Sequence, residues 1–525
     1  MNELDHLARS FKAGRTSRRD FIGRALALGA SAPFIAASIT SAEAQAPRKG
    51  GTLRLGLAGG STTDSLDPAS WTDTVMIVAG HGIFNSLVEN DPNNMAAPDL
   101  AESWEAKAGA AEWIFNLRKG VQFHNGKEFG ADDAIYSLNL HRGQVKSGVA
   151  GPMKAVQDIK KLGSHQIQIL LNSADSDFPF LMTDYHIMMV PDGHTDWSKP
   201  IGTGCLALDK FQAGVRVSLK RNANFWRKDR GHLDAAEITV IGDSSARTNA
   251  LVSGQVDVIN RTDPKTIALV QQAPTLSVLR SGGGWHTITA MTVDNPPFDN
   301  PDVRLAMKYA IDRKQVLKTM LNDFGVVGND HPIPKGDPSY HSQLPQREYD
   351  PDKAAFHLKK SGLTPKIVIQ ASDAAFNGAV DMATLYQASG KKVGLDIEVK
   401  REPADGFWSK VWLKGPCVVG YWGGRPAATQ MLGVAYASNA NWNETHYKSE
   451  KFDKLLADAR RELDPAKRKT YIWAMQELLH NEGGAVIPMF RDSLDSHTKK
   501  VGGMTPHAGF DMLNGRILEK AWLNA

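Results

Sequence analysis

The sequence predicts an α/β protein on three observations. Short runs of alternating or β-branched apolar residues recur along the chain. Between them lie amphipathic stretches that carry helix caps. Past residue 44, no apolar run reaches the ~18 residues that mark a membrane helix. Strands alternating with capped helices is the pattern of an α/β layer architecture.

The elements follow in order. Residues 52–57 alternate with period two, as a half-buried strand should, and Gly59-Gly60-Ser61-Thr62-Thr63-Asp64 reads as a loop. Residues 113–118 form a second alternating strand that Gly120 closes, and Asn125-Gly126 then reads as a hairpin turn. Val215, Val217 and Leu219 repeat the pattern, and residues 238–241, 367–369 and 397–399 are further short strands. Asn300 caps a helix with Pro301 at its first position, which puts Val303, Ala306, Met307 and Ala310 on one face. Asp350-Pro351 opens another, with Ala354, Ala355 and Leu358 apolar and Gly362 at its end. Ser449 opens a helix with Phe452, Leu455, Leu456 and Ala459 on one side, and Asp464-Pro465 opens one with Tyr471, Met475, Leu478 and Leu479.

Composition excludes several classes. The 525 residues make three to four domain-sized units at about 150 residues each. Lys+Arg 61 against Asp+Glu 57 is too balanced to predict a nucleic-acid partner. Two cysteines, Cys205 and Cys417, cannot make a disulfide framework or a four-cysteine zinc site, and both are read as buried free thiols. At the N-terminus, Ser17-Arg18-Arg19-Asp20-Phe21-Ile22 precedes an apolar run over 25–39, followed by Ala42-Glu43-Ala44. This order of basic, apolar and small-residue segments is that of an export leader, residues 1–44, and the paired arginines resemble a twin-arginine signal. Cleavage is expected after Ala44, since the next A-x-A site would leave Pro47 beside the cut. The alternative is an ordinary amphipathic helix. A leader places the mature chain in the periplasm.

A search for catalytic chemistry returns nothing: no P-loop, HExxH, CxxC or GxSxG motif occurs, and the 16 histidines show no i, i+4 pair for a helix. Gly282-Gly283-Gly284 lacks dinucleotide-fingerprint spacing and reads as a hinge or turn. Asp132-Asp133 and Asp175-Ser176-Asp177 read as capping groups. No enzyme, cofactor or metal site is expected.

Eight segments follow one another along the chain: Leu66-Asp67-Pro68; Leu100-Ala101-Glu102-Ser103-Trp104-Glu105; the run over 113–126 that ends Phe123-His124-Asn125-Gly126; Ile201-Gly202-Thr203-Gly204; Leu251-Val252-Ser253-Gly254-Gln255-Val256-Asp257; Pro296-Pro297-Phe298 with residues 303–313; Asp464-Pro465-Ala466-Lys467-Arg468; and Ile487-Pro488-Met489-Phe490. In this order they resemble the solute-binding proteins of peptide/nickel-type ABC importers, family 5. Each also has a plain structural reading: Trp104 and Trp113 as core, Arg118 and Lys119 as solvated. The resemblance implies a two-lobed periplasmic binding protein fold, of the large class with an extra subdomain in lobe I, with a cleft between the lobes. It assigns 48–87, 202–290 and 488–525 to lobe I, 88–201 to its extra subdomain and 291–487 to lobe II. The crossings are at Gly283-Gly284-Trp285-His286 and Val486-Ile487-Pro488. The implied function is capture of a peptide-like or other small polar solute by hinge closure and delivery to an inner-membrane permease, by a monomer. The competing readings are a twin-arginine-exported cofactor enzyme and a chemosensory adaptor.

For the ligand, the informative segment is Val418-Val419-Gly420-Tyr421-Trp422-Gly423-Gly424-Arg425. In the family's oligopeptide binders an Asp that pairs with the peptide amine follows the Trp by three residues; here Arg425 stands there. An arginine fork recognises carboxylate or phosphate and repels ammonium. Arg425 therefore either meets an anionic solute or pairs with a protein carboxylate at the cleft rim. Trp422, ahead of two glycines, is expected to line the cleft with Tyr421 and Gly423. Trp285 and His286 are candidates from the hinge and Trp442 from lobe II, each with core as the alternative. Thr62 and Thr63 either bind ligand or cap a turn.

Overall fold

The structure is a computed structural model that describes residues 18–28, 47–107 and 109–524. The expected cleavage site at Ala44 lies outside the described residues. Helix Arg18–Ala27 covers the paired arginines and buries Phe21 and Ala25. No helix among the described residues is long and apolar enough to cross a membrane.

A 12-stranded mixed sheet runs through the molecule, ten of its strands in the order Asp396–Arg401, Lys366–Ala371, Cys417–Trp422, Leu276–Met291, Met489–Thr498, Val258–Ile259, Thr52–Leu57, Ala235–Val240, Arg216–Arg221, Leu206–Gln212; off this path Gly325–Val327 pairs with Met489–Thr498 and Ala485–Val486 with Leu276–Met291. Leu276–Met291 holds its two halves together. Near its start it pairs with Met489–Thr498, Leu276 opposite Thr498; near its end it pairs with Cys417–Trp422, Met291 opposite Cys417. Its register shifts between Gly282 and His286, so the glycine run is a bulge inside a strand. Parallel pairing occupies each flank: Thr52–Leu57 with Ala235–Val240 and Val258–Ile259, and Lys366–Ala371 with its neighbours. The strand expected over 238–241 runs Ala235–Val240, because its start is set by pairing with Thr52 and not by apolar content.

Each flank has its own core. Leu53, Leu55, Trp71, Ile238 and Ile517 pack on one side; Val303, Met307, Ile367, Ile397 and Val419 pack on the other, beside a second cluster around Met431, Phe452 and Met475. A separate four-stranded antiparallel sheet, Ala101–Ala106, Glu112–Leu117, Gln166–Leu171 and Val156–Gly163, closes over Phe115, Phe123, Phe129 and Phe178. In it the Asn125-Gly126 turn forms, with Gly126 at φ 84° and Phe123 N–H donating to the Lys127 carbonyl at 2.9 Å. Trp113 is core and Trp104 packs half-buried against it. Arg118, expected to be solvated, is half-buried: its Nε donates to the Asp99 carbonyl at 2.6 Å and its guanidinium sits 5.1 Å from the Trp226 ring centre.

The proline-led helices form as Pro301–Ala310, Pro351–Ser361 and Pro465–Asn481, with Asn300, Asp350 and Asp464 accepting from first-turn amides; Gly362 ends the second at φ 70°. Asp133 accepts from the Gly130 amide and caps its helix. Asp177 differs from its expected capping role, making no side-chain cap bond; it accepts instead from Thr429 Oγ1 and Arg468, across from its own core. Both cysteines are buried and free.

Candidate functional site

The registers locate the site. Thr52–Leu57 runs antiparallel, through Val258–Ile259, to Met489–Thr498, while Cys417–Trp422 runs antiparallel to Leu276–Met291. Both sets of parallel strands therefore aim their carboxyl ends at the middle of the long strands. Ligands of open α/β sheets bind outside carboxyl ends. Here two sets of such ends face one gap.

One wall carries the loop after Thr52–Leu57. Ser61 Oγ lies 2.9 Å from Thr63 Oγ1, and Asp64 Oδ2 accepts from the Ser61 amide at 2.7 Å. Thr63 is thus engaged in the turn, whereas Thr62 is exposed and has no hydrogen bond among the described residues. Arg261, just after Val258–Ile259, donates to Asp511 Oδ2 at 3.1 Å and to Thr74 Oγ1 at 3.0 Å.

The facing wall is aromatic. Gly284 and Gly424 touch backbone to backbone: a Cβ on Gly284 would lie 2.7 Å from the Gly424 Cα. Beside this contact Trp285 stacks on Tyr421 with ring centres 5.5 Å apart and planes at 23°, and the edge-on contacts Trp285–Phe376 and Trp408–Tyr421 extend the patch. Phe376 follows Lys366–Ala371 and Trp408 follows Asp396–Arg401, so each carboxyl end on this flank supplies a ring. Tyr421 is 38% exposed.

Arg425 stands at the end of this wall. Its Nη1 donates to the Gly423 and Gly424 carbonyls, each at 3.2 Å, which is the part Gly423 plays. Among the described residues no carboxylate comes within ion-pairing distance, so the rim pairing weighed from sequence is not made. Burial lowers its pKa, and Tyr185 and Asp184 from the opposite side oppose that shift. Burial likewise pushes Tyr185 up to about 12, reinforced by Asp184 and opposed by Arg425. Arg425 and Tyr185 are thus electrostatic neighbours across the gap.

Two expected wall residues are core instead. Trp422 is 5% exposed and packs among the cluster around Met431 and Phe452, its indole N–H donating to Glu444. Strand alternation explains this: Tyr421 and Trp422 must point to opposite faces. His286 is fully buried against Phe490, with Nδ1 at 2.9 Å from the Gly284 carbonyl, and burial drops its pKa to about 4. Trp442 is 45% exposed and touches Trp412 and Trp422; it makes no ring contact with Trp285 or Tyr421 and reaches the patch only through Trp412 and Trp408. Glu444 lies beneath it, accepting also from Trp412 Nε1 at 2.8 Å; burial pushes its pKa up to about 7.

The sequence reading missed Arg491, Trp408, Phe376 and Tyr185. Arg491 directly follows Ile487-Pro488-Met489-Phe490, a segment read only as a mark of the fold. Its guanidinium lies 4.4 Å from the Trp285 ring centre.

Comparison with known proteins agrees with this architecture. The family model described as bacterial extracellular solute-binding proteins, family 5 Middle, matches residues 96–444. Heme-binding protein A of Haemophilus influenzae is 27% identical over 76% of this chain and 80% of its own length. Di/tripeptide-binding protein 1 of Pseudomonas aeruginosa is 25% identical over 79% and 85%. Among solved structures, HbpA2 from Haemophilus parasuis superposes with a TM-score of 0.80 at 21% identity, covering 90% of this chain and all of that one (100%). The periplasmic binding protein DppA from Helicobacter pylori, in complex with the peptide STSA, gives 0.73 at 23% identity, covering 91% and 99%. With the two-lobed fold, the facing carboxyl ends and the family match together, this chain belongs to the family 5 extracellular solute-binding proteins, the solute-capturing components of ABC importers.

Proposed function

We propose that this chain captures a small solute bearing an anionic group, which Arg425 binds while the Trp285–Tyr421 stack packs against the solute's body. The observation that carries this reading is Arg425 itself: a desolvated guanidinium at the gap with backbone carbonyls as its only hydrogen-bond partners among the described residues. Arg425 is half-buried, and a partly desolvated charge without a counter-charge carries a cost that a bound anion offsets. Closure brings the lobe of residues 48–87, 202–290 and 488–525 onto that of 291–487, and the solute favours the closed form by binding it better. The relatives bind heme and di- or tripeptides by name, and a peptide carboxylate is one anion that suits Arg425. The chain works in the periplasm after twin-arginine export, as a monomer that hands the solute unaltered to its permease.

The test starts with mass spectrometry of whatever small molecule the purified mature chain releases on denaturation. Calorimetric titration of that molecule into wild type and Arg425→Ala follows. Loss of one charge-assisted fork at about 1.5–3 kcal/mol weakens binding by about 10- to 150-fold. An unchanged affinity refutes the role of Arg425.

A further inference from the structure

Arg491 is a second guanidinium at the gap without a counter-ion. It is exposed to solvent and forms no hydrogen bond or ion pair among the described residues, resting only on the Trp285 ring. The carboxylates around it are taken. Asp511 accepts from Arg261, Thr74 and Asn260, and the next residue, Asp492, is held by Arg280. Burial lowers the Arg491 pKa, as does the positive charge of Arg261.

The strand register relates it to Arg425. Phe490 and Trp422 both pair with His286, from opposite sides of Leu276–Met291. The two arginines therefore leave strands about two inter-strand spacings, ~10 Å, apart. Trp285 belongs to the strand between them, and its ring carries the Arg491 contact on one hand and the Tyr421 stack on the other. Two cations at one gap, each without a carboxylate, repel each other until something negative arrives.

We propose that the solute carries two anionic groups, one on Arg425 and one on Arg491, with a flat or apolar middle lying along the Trp285–Tyr421 stack; this rests on the reading of Arg425 given above. The class is that of dicarboxylates with a spacer: N-acylated acidic conjugates, or short peptides with a carboxylate besides the terminal one. Arg491 then sets specificity for the second charge.

The test is a calorimetric panel of matched pairs that differ by one carboxylate: N-succinyl- against N-acetyl-L-phenylalanine, and the linear dicarboxylates glutarate to suberate against their monoamides. At least one dianion is expected to bind wild type about tenfold more tightly than its partner, the size of one charge-assisted contact. Arg491→Gln equalises that pair, Arg491→Lys keeps part of the preference, and Arg425→Gln weakens both members. Thermal midpoints without ligand verify that each variant folds. The inference is overturned if no dianion in the panel binds, if dianion and partner bind alike, or if Arg491→Gln keeps the preference. Monoanion binding that depends on Arg425 with no dianion gain overturns the second site alone; indifference to Arg425→Gln overturns the earlier reading as well.

Discussion

Closure of the cleft has a measurable latch at Asp177. Its side chain is 2% exposed and ion-pairs with Arg468, itself 19% exposed, while Thr429 donates to the same carboxylate. These partners belong to the packing around Met431 and Met475, whereas Asp177 sits next to Phe178 in the core of the four-stranded subdomain. On the proposed lobe division this ion pair joins the two bodies, and it breaks when they part. Asp177 makes no side-chain cap bond in its own helix, so Asp177→Asn removes the charge without loss of a cap. The half-buried Arg468 then loses a charge-assisted partner in the closed form, and in the open form both groups are hydrated. The closed form loses about 2 kcal/mol, which raises the apparent Kd for the copurifying solute about 30-fold. The Ser176 amide, bonded to the Arg460 carbonyl at 2.7 Å, stays in place, so closure is weakened and not abolished. Calorimetry gives the affinity, small-angle scattering gives the closed fraction with solute, and the thermal midpoint of the unliganded variant serves as the folding control. A Kd within twofold of wild type refutes the latch. So does a lowered unliganded midpoint that accounts for the whole effect.

Two further outcomes follow from the same packing. Glu444 has its pKa raised to about 7 by burial, against ~4.3 in an unfolded chain. Its protonated form is therefore favoured on folding, and that stabilisation is full below ~4.3 and lost as pH rises through about 7. Tryptophan emission from Trp412 and Trp422 should titrate near that pH, with Glu444→Gln flat; an equal titration in the variant rules Glu444 out as its source. Gly284→Ala places a methyl 2.7 Å from the Gly424 Cα, where neither backbone can yield as a side chain would. It should cost about 1–3 kcal/mol and weaken solute binding by displacing Trp285; a wild-type thermal midpoint and affinity would show the contact to be slack.

Local structure was legible in the chain. Alternation over 52–57 and 113–118, proline after an N-cap at 300–301, 350–351 and 464–465, and glycine at 362 each act within a few residues, and each element forms there. Family-like segments in order disclosed the fold class, and the absence of motif chemistry pointed to binding. Arg425 stood out because its position in a recognisable segment holds an unusual residue. Which aromatic rings meet depends on strand pairing and pleat. Trp422 and Tyr421 are neighbours in sequence, but the pleat sends one to the core and the other to the gap. Asp177 and Arg468, or Trp285 and Arg491, meet across some two hundred residues or more, at distances set by strand pairing that no local pattern encodes. Whether a charge is free is likewise a tertiary fact. Arg261 and Arg491 look alike in the sequence, yet Asp511 lies within reach of one and leaves the other unpaired, because burial and neighbours, not residue type, fix what a charged side chain is available to bind.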